Sequence, residues 1–238
     1  MLIQACLNGA RSKGYHPNLP IDPDTLAADA AAAVAAGAGE LHLHVRGPDG
    51  SESLAPEHVD ATLAQLRSRL PGTLIGISTG AWIEPDNDCR LALIGSWNEL
   101  PDHASVNLSE DAAPAVIERL HRRGIGIEAG IASVADALRL MQLGLAPLAL
   151  RLLIEIGEQE PGEALAVVQG IVDVLAQHQV RKPALLHGFD ATVWPLVDEA
   201  FRRGFSTRVG LEDGSLLPDG QVAVGNAALV AAAVARRR

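Results

Sequence analysis

Glu40-Leu41-His42-Leu43-His44-Val45-Arg46 is the stretch on which the reading of this chain turns. It has the apolar pattern of a short β-strand, and side chains alternate faces along a strand. His42, His44 and Arg46 are therefore expected on one face, with Leu41, Leu43 and Val45 on the other. Two imidazoles on one side can serve a single metal ion, and zinc is the usual guest when a carboxylate joins them. The plain alternative is a pair of satisfied polar groups at the rim of a core.

Working outward, apolar strand patterns alternate with amphipathic helical ones. Strands are expected over 2–7, 40–46, 73–78, 104–108, 126–128, 148–156, 184–187 and 207–211. Helices are expected over 25–36, 56–70, 88–95, 111–123, 133–143, 161–178, 191–203 and 226–235. A helix after every strand forces parallel pairing through right-handed crossovers, and eight such units close most economically into a (β/α)8 barrel. An open doubly wound sheet is the runner-up. No repeat or linker divides the chain, so residues 1–238 are read as a single domain, a length common for one α/β barrel.

Composition narrows the partners. A formal net charge of −10 opposes a nucleic-acid or anionic-membrane surface, since both need a basic face. Hydrophobic residues at 48% with aromatics at only 3% imply a core of Ala, Leu, Val and Ile. Cys6 and Cys89 lie far apart without CxxC spacing, which indicates neither a disulfide framework nor a thiolate zinc site. The start of the chain lacks the pattern of a secretory leader, and no run has the length of a membrane span, so a cytoplasmic location is expected. The closing Arg236-Arg237-Arg238 reads as the solvated end of a helix.

In a (β/α)8 barrel the site lies at the C-terminal ends of the strands. There the sequence places Asn8 after the first strand, His44 and Arg46 at the second, Ser78-Thr79-Gly80 at the third, and Ser105 and Asn107 on the fourth. Glu128 ends the fifth, Glu155 the sixth and His187 the seventh, with Arg208, Glu212 and Asp213 at the eighth. The eighth strand closes on the first beside the second, so Glu212 is expected to face the histidines as third metal ligand. Two His and one Glu with an open position form a catalytic zinc arrangement rather than a structural one.

The ordered set NGAR and HPNLPI near the start, ELHLHVR with a following DG, then ISTG, VNL and RVGLED resembles the β-keto acid cleavage enzymes, the family of the 3-keto-5-aminohexanoate cleavage enzyme. The resemblance runs from Asn8 to Asn226. It implies a zinc-bearing (β/α)8 barrel, one Zn2+ per subunit, that exchanges acyl groups between a β-keto acid and acetyl-CoA to give acetoacetate and a new acyl-CoA. On that pattern His42, His44 and Glu212 match the zinc ligands, and Arg208 and Asp213 the pair assisting enolate formation. Ser78 matches an oxyanion-stabilising hydroxyl, and Glu128 a carboxylate near the catalytic arginine. Ser105 keeps a hydroxyl where the family carries threonine. Asn8, Arg11, Arg46, Thr79, Gly80 and Asn107 are expected to bind substrate, and Arg11, standing where a family member has an acidic residue, suits an anionic or neutral tail. The resemblance also implies a homo-oligomer, a tetramer.

Two other readings stay open. The loop after the sixth strand, Gly157-Glu158-Gln159-Glu160-Pro161, is acidic and suits the phosphates of CoA poorly, which leaves room for a zinc-dependent lyase or hydrolase on a small keto acid without CoA. The third reading is a non-catalytic barrel that binds a metal and a carboxylate.

Overall fold

The computed structural model describes residues 1–237, and the final arginine of the closing basic run lies outside them. Eight strands form a closed parallel barrel in chain order. They are β1 (Ile3–Cys6), β2 (Glu40–Leu43), β3 (Leu74–Ser78), β4 (His103–Asn107), β5 (Gly126–Ile131), β6 (Arg151–Ile156), β7 (Ala184–Gly188) and β8 (Ser206–Val209). Each is followed by a helix: α1 (Pro23–Ala35), α2 (Pro56–Arg69), α3 (Asn87–Ser96), α4 (Ala113–Arg122), α5 (Val134–Gln142), α6 (Pro161–Gln177), α7 (Val193–Arg203) and α8 (Asn226–Arg236). The (β/α)8 expectation holds, and β8 closes on β1 with Gln4 opposite Arg208.

Local chemistry starts and stops these elements where the sequence directs. Asp22 caps α1, accepting from the amides of Asp24 and Thr25, with Pro23 at the first helical position. Ser133 caps α5 in the same way, and α7 ends at Gly204 in the left-handed conformation. The main boundary shifts lie at β2, which stops at Leu43, at β5, which runs on to Ile131, at 148–150, where a 3-10 turn (Ala146–Leu148) precedes β6, and at β8, which stops at Val209.

The alternation of β2 sorts its residues as expected. Leu41 and Leu43 are fully buried in the apolar layer between strands and helices, together with Leu63, Leu66, Ile75 and Ile77. The barrel lumen, by contrast, holds an unusual number of polar side chains: Gln4, Glu40, His42, His103, Glu128 and Arg208 are all nearly or fully buried. A barrel interior is ordinarily filled by branched apolar residues. Buried polar groups are costly unless paired, so this lumen is a bonded network with a task beyond packing.

Candidate active site

His42 is the third residue of β2, and His44 lies just beyond the strand's end. Their rings meet edge to face with centroids 5.5 Å apart. Asn8, in the loop after β1, pins the backbone of His44, donating to its carbonyl and accepting from its amide. Glu212 comes from the turn after β8. His44 Nε2 stands 3.4 Å from Glu212 Oε1 and His42 Nε2 4.0 Å from Glu212 Oε2, so both imidazoles aim at one carboxylate.

Two glycines hold Glu212 there. A Cβ on Gly210 would lie 1.8 Å from the carbonyl oxygen of Cys6, and one on Gly9 would lie 2.3 Å from Cγ of Glu212. Gly9 also has φ +55°, a left-handed conformation that favours glycine. The NGAR and RVGLED segments thus press against each other to set the ligand.

The donor set fits a divalent ion. Glu212 Oε2 is buried without a hydrogen-bond partner, and the donor atoms of His42, His44 and Glu212 all lie within 4.8 Å of one another. Outer partners orient both rings, as is usual for histidine ligands. His44 Nδ1 meets Glu52 Oε1 at 2.5 Å, and His42 Nδ1 faces Glu128 Oε2 at 3.8 Å. Burial pushes His42 down to about 4. Burial acts the same way on His44, but Glu212 and Glu52 outweigh it and push that ring up to about 9.

These groups open onto a cavity of about 620 Å³. Of the residues singled out in the sequence, Arg11, His42, His44, Ser78, Ser105, Asn107, Arg208 and Glu212 line it. Trp82, Phe189, Glu155 and Asp190 are also part of the wall, and Trp82 stacks on His44 with centroids 6.2 Å apart. Arg208 Nη2 reaches Glu212 Oε1 at 2.8 Å, Asp213 Oδ1 at 3.1 Å and Glu155 Oε2 at 3.6 Å. Burial would favour a neutral guanidine, but the charges of Asp213 and Glu212 hold Arg208 protonated well above its ordinary range.

Other expected positions lie elsewhere. Asp213 is fully buried and does not line the cavity; its Oδ2 accepts from the Cys6 thiol at 2.9 Å. Glu128 does not end β5 but sits at its third position, and its ion pair is with Arg151 rather than Arg208. The alternation of β2 fails at Arg46, because the strand ends at Leu43: its guanidinium donates to the carbonyls of Gly9, Arg11 and Gly50 and holds two loops together. Asn8, Thr79 and Gly80 stand behind the wall, Thr79 donating to the carbonyl of Ser105. Arg11 reaches the rim but is tied to Asp190 at 2.8 Å and to the carbonyls of Glu212 and Asp213.

Glu52 and Trp82 enter the site without having been placed there from sequence, and Glu155 and His187 without having been given a role. Strand-end position singled out Glu155 and His187, whereas Glu52 and Trp82 sit in loops that carry no periodic signal.

A (β/α)8 barrel with a buried three-donor centre at the C-terminal end of its strands, opening to a small polar cavity, has the construction of a metal-dependent enzyme. The chain belongs to the β-keto acid cleavage enzyme family, whose model matches residues 1–237. Over 92 residues it is 30% identical to the 3-keto-5-aminohexanoate cleavage enzyme of Acetoanaerobium sticklandii, covering 38% of this chain and 34% of that one. With the enzyme of the same name from Fusobacterium nucleatum it shares 33% identity over 81 residues, covering 34% of this chain and 30% of that one. The matches therefore span about a third of these curated relatives. Among solved structures, a ternary complex of ObcA with a C4-CoA adduct and oxalate superposes with TM-score 0.74 at 18% identity, covering 90% of this chain and 62% of that one. At that identity the likeness shows the shared fold. No helix among the described residues is long and apolar enough to cross a membrane.

Proposed function

We propose that this chain cleaves the carbon–carbon bond of a small β-keto acid at a divalent ion held by His42, His44 and Glu212, with water rather than a CoA thioester accepting the acyl group. Zinc suits the donor set of two imidazoles and one carboxylate, one ion per subunit. Such an ion, when bound, polarises the keto and carboxylate oxygens of a chelated substrate. The observation that carries the reading is the convergence of both imidazoles on Glu212 at the cavity wall, in a chain matched over 1–237 by a β-keto acid cleavage family.

The remaining wall residues have complementary parts. Arg208 supplies a fixed positive charge to a substrate oxyanion, and preorganised donors of this kind are worth most in a water-poor site. The Ser78 hydroxyl lines the cavity and is a donor for the oxyanion that forms as the keto carbon becomes tetrahedral. Ser105 and Asn107, on β4, are available to hydrogen-bond the rest of the substrate.

The rim supports the thioester-free route. Arg11 and Arg208 are the arginines lining the cavity, and Asp190 and Glu155 lie beside them. Arg11 is neutralised by Asp190, so the mouth offers little to the phosphates of CoA. The second reading, acyl exchange with acetyl-CoA, is supported by the family resemblance. The exposed Leu216, Val222 and Val224 on the segment after β8 support the expected tetramer, which a monomer in light scattering would remove.

The test is product analysis on zinc-loaded protein with a panel of β-keto acids, with and without acetyl-CoA. Cleavage to two free carboxylic acids without acetyl-CoA is expected. Acetoacetate formed only when both partners are present would establish the acyl-exchange reading instead, and no turnover of any β-keto acid would refute both.

A further inference from the structure

A second array of ionisable groups runs from the cavity wall into the barrel. Glu155 is the penultimate residue of β6 and lines the cavity, with its side chain 22% exposed. Its Oε2 lies 3.4 Å from Nε2 of His187 on β7, whose ring is 1% exposed. On the other edge of that ring, Nδ1 lies 3.4 Å from Oδ1 of Asp213, which has no exposure at all. Exposure thus rises in one direction, and Glu155 is the only member of the three that reaches the cavity.

We infer that Glu155, backed by His187 and Asp213, is the general base and acid of the cleavage reaction, and that His187 is its positioning residue. The inference rests on the proposed β-keto acid reading and names the group that serves it. Asp213, expected in that part, is fully buried behind Arg208 and Cys6 and does not itself line the cavity.

Three observations carry it. Both nitrogens of His187 are buried without a formed hydrogen bond although each faces a carboxylate, an arrangement uncommon for a purely structural histidine. Catalytic hydrogen bonds are often long before substrate arrives and shorten in the complex. Arg208 Nη2 stands 3.6 Å from the same Glu155 oxygen, which places the carboxylate beside the group that meets the substrate oxyanion. Burial and Arg208 disfavour an imidazolium at His187, yet the two flanking carboxylates outweigh them and raise it above its ordinary value. The ring is therefore suited to keeping Glu155 ionised and ready to accept a proton.

The step balances with water as the sole co-reactant. As the water oxygen bonds to the keto carbon, one of its protons passes to Glu155. The bond between the keto carbon and the adjacent methylene then breaks, and its electron pair stays on the methylene carbon. That carbon takes the proton back from Glu155, so one carboxylic acid and acetate leave and the carboxylate is restored.

The test compares Glu155→Gln, Glu155→Ala, His187→Gln and the double variant Glu155→Gln/His187→Gln with the wild type, all zinc-loaded. Glu155→Gln is expected to lose about 10²–10⁴-fold in kcat with little change in KM or zinc content. Added formate is expected to restore part of the activity of Glu155→Ala, and the double variant to be no slower than Glu155→Gln alone, since the two residues act as one unit. Wild-type kcat in Glu155→Gln, or a loss confined to KM or zinc content, would overturn the assignment. A readout independent of turnover is the imidazole nitrogen resonance of His187 by NMR, identified by its loss in His187→Gln. It is expected to move in Glu155→Gln; a resonance unmoved by that change would overturn the array. If the wild type cleaves no β-keto acid, the functional reading fails, and the resonance still decides the coupling of Glu155 to His187.

Discussion

Among the described residues the barrel contains two buried groups of three metal-type donors, and they differ in their surroundings. The upper one is His42, His44 and Glu212; the lower one is Glu40, His103 and Glu128. Donor types and spacing are similar. In the lower group, however, the guanidinium of Arg151 lies between the carboxylates, bonding Glu40 and reaching Glu128 Oε1 at 2.6 Å, while Gln4 donates to both of them. The lower cluster thus already contains its cation. In the upper group Arg208 takes one oxygen of Glu212 and leaves the other without a partner, facing His42. Donor identity does not by itself define a metal site; each group holds an arginine and keeps one carboxylate oxygen unpartnered, and the difference is that Arg151 bridges both carboxylates of the lower group whereas Arg208 binds the one carboxylate of the upper group through a single oxygen.

His42 joins the two. Its Nε2 faces Glu212 above and its Nδ1 faces Glu128 below, so the lower network orients an upper ligand. That would make the lower cluster a support for the proposed metal centre.

The largest effect that sharpens this contrast is expected from Arg151→Met. It leaves Glu40 and Glu128 buried without their counter-ion, a change that costs about 3–5 kcal/mol. Denaturant unfolding at neutral pH should show that loss, with zinc stoichiometry unchanged. Unchanged stability would break the contrast.

Glu52→Gln should have the next largest effect. Glu52 accepts from His44 at 2.5 Å and also from Trp82 Nε1, and loss of such an outer partner lowers metal affinity about 10–100-fold. A competitive chelator titration measures this, and an unaltered affinity would remove Glu52 from the metal centre.

A third prediction is a pH slope. Burial alone would raise Glu128, but His103 and Arg151 outweigh it and hold the carboxyl down at about 2. A depressed folded-state value means that its contribution is present above the unfolded value near 4.5 and is lost as pH falls toward about 2. Wild-type stability should fall over that window, and Glu128→Gln should flatten the slope.

Much of this was legible in the sequence because it rests on periodicity. Alternation in 40–46 placed His42 toward the lumen and Leu41 and Leu43 toward the helices, and the strand–helix rhythm gave the closed barrel. Strand order brought Glu212 beside the histidines. Alternation misled at Arg46, because nothing local marks the end of β2 at Leu43. The pairing of Glu128 with Arg151 was not legible either. It depends on the register between β5 and β6, which sets those two residues opposite each other, and register is a property of the assembled sheet. Glu52 escaped for a related reason: it reaches His44 through a loop bridge to Arg46.

The most direct test of the central claim is zinc stoichiometry in the wild type, His44→Ala and His103→Gln, by elemental analysis of folded protein purified with zinc and freed of excess. One ion per chain is expected in the wild type and in His103→Gln, and none in His44→Ala. Zinc retained by His44→Ala but lost from His103→Gln would place the ion at the lower cluster and contradict the account.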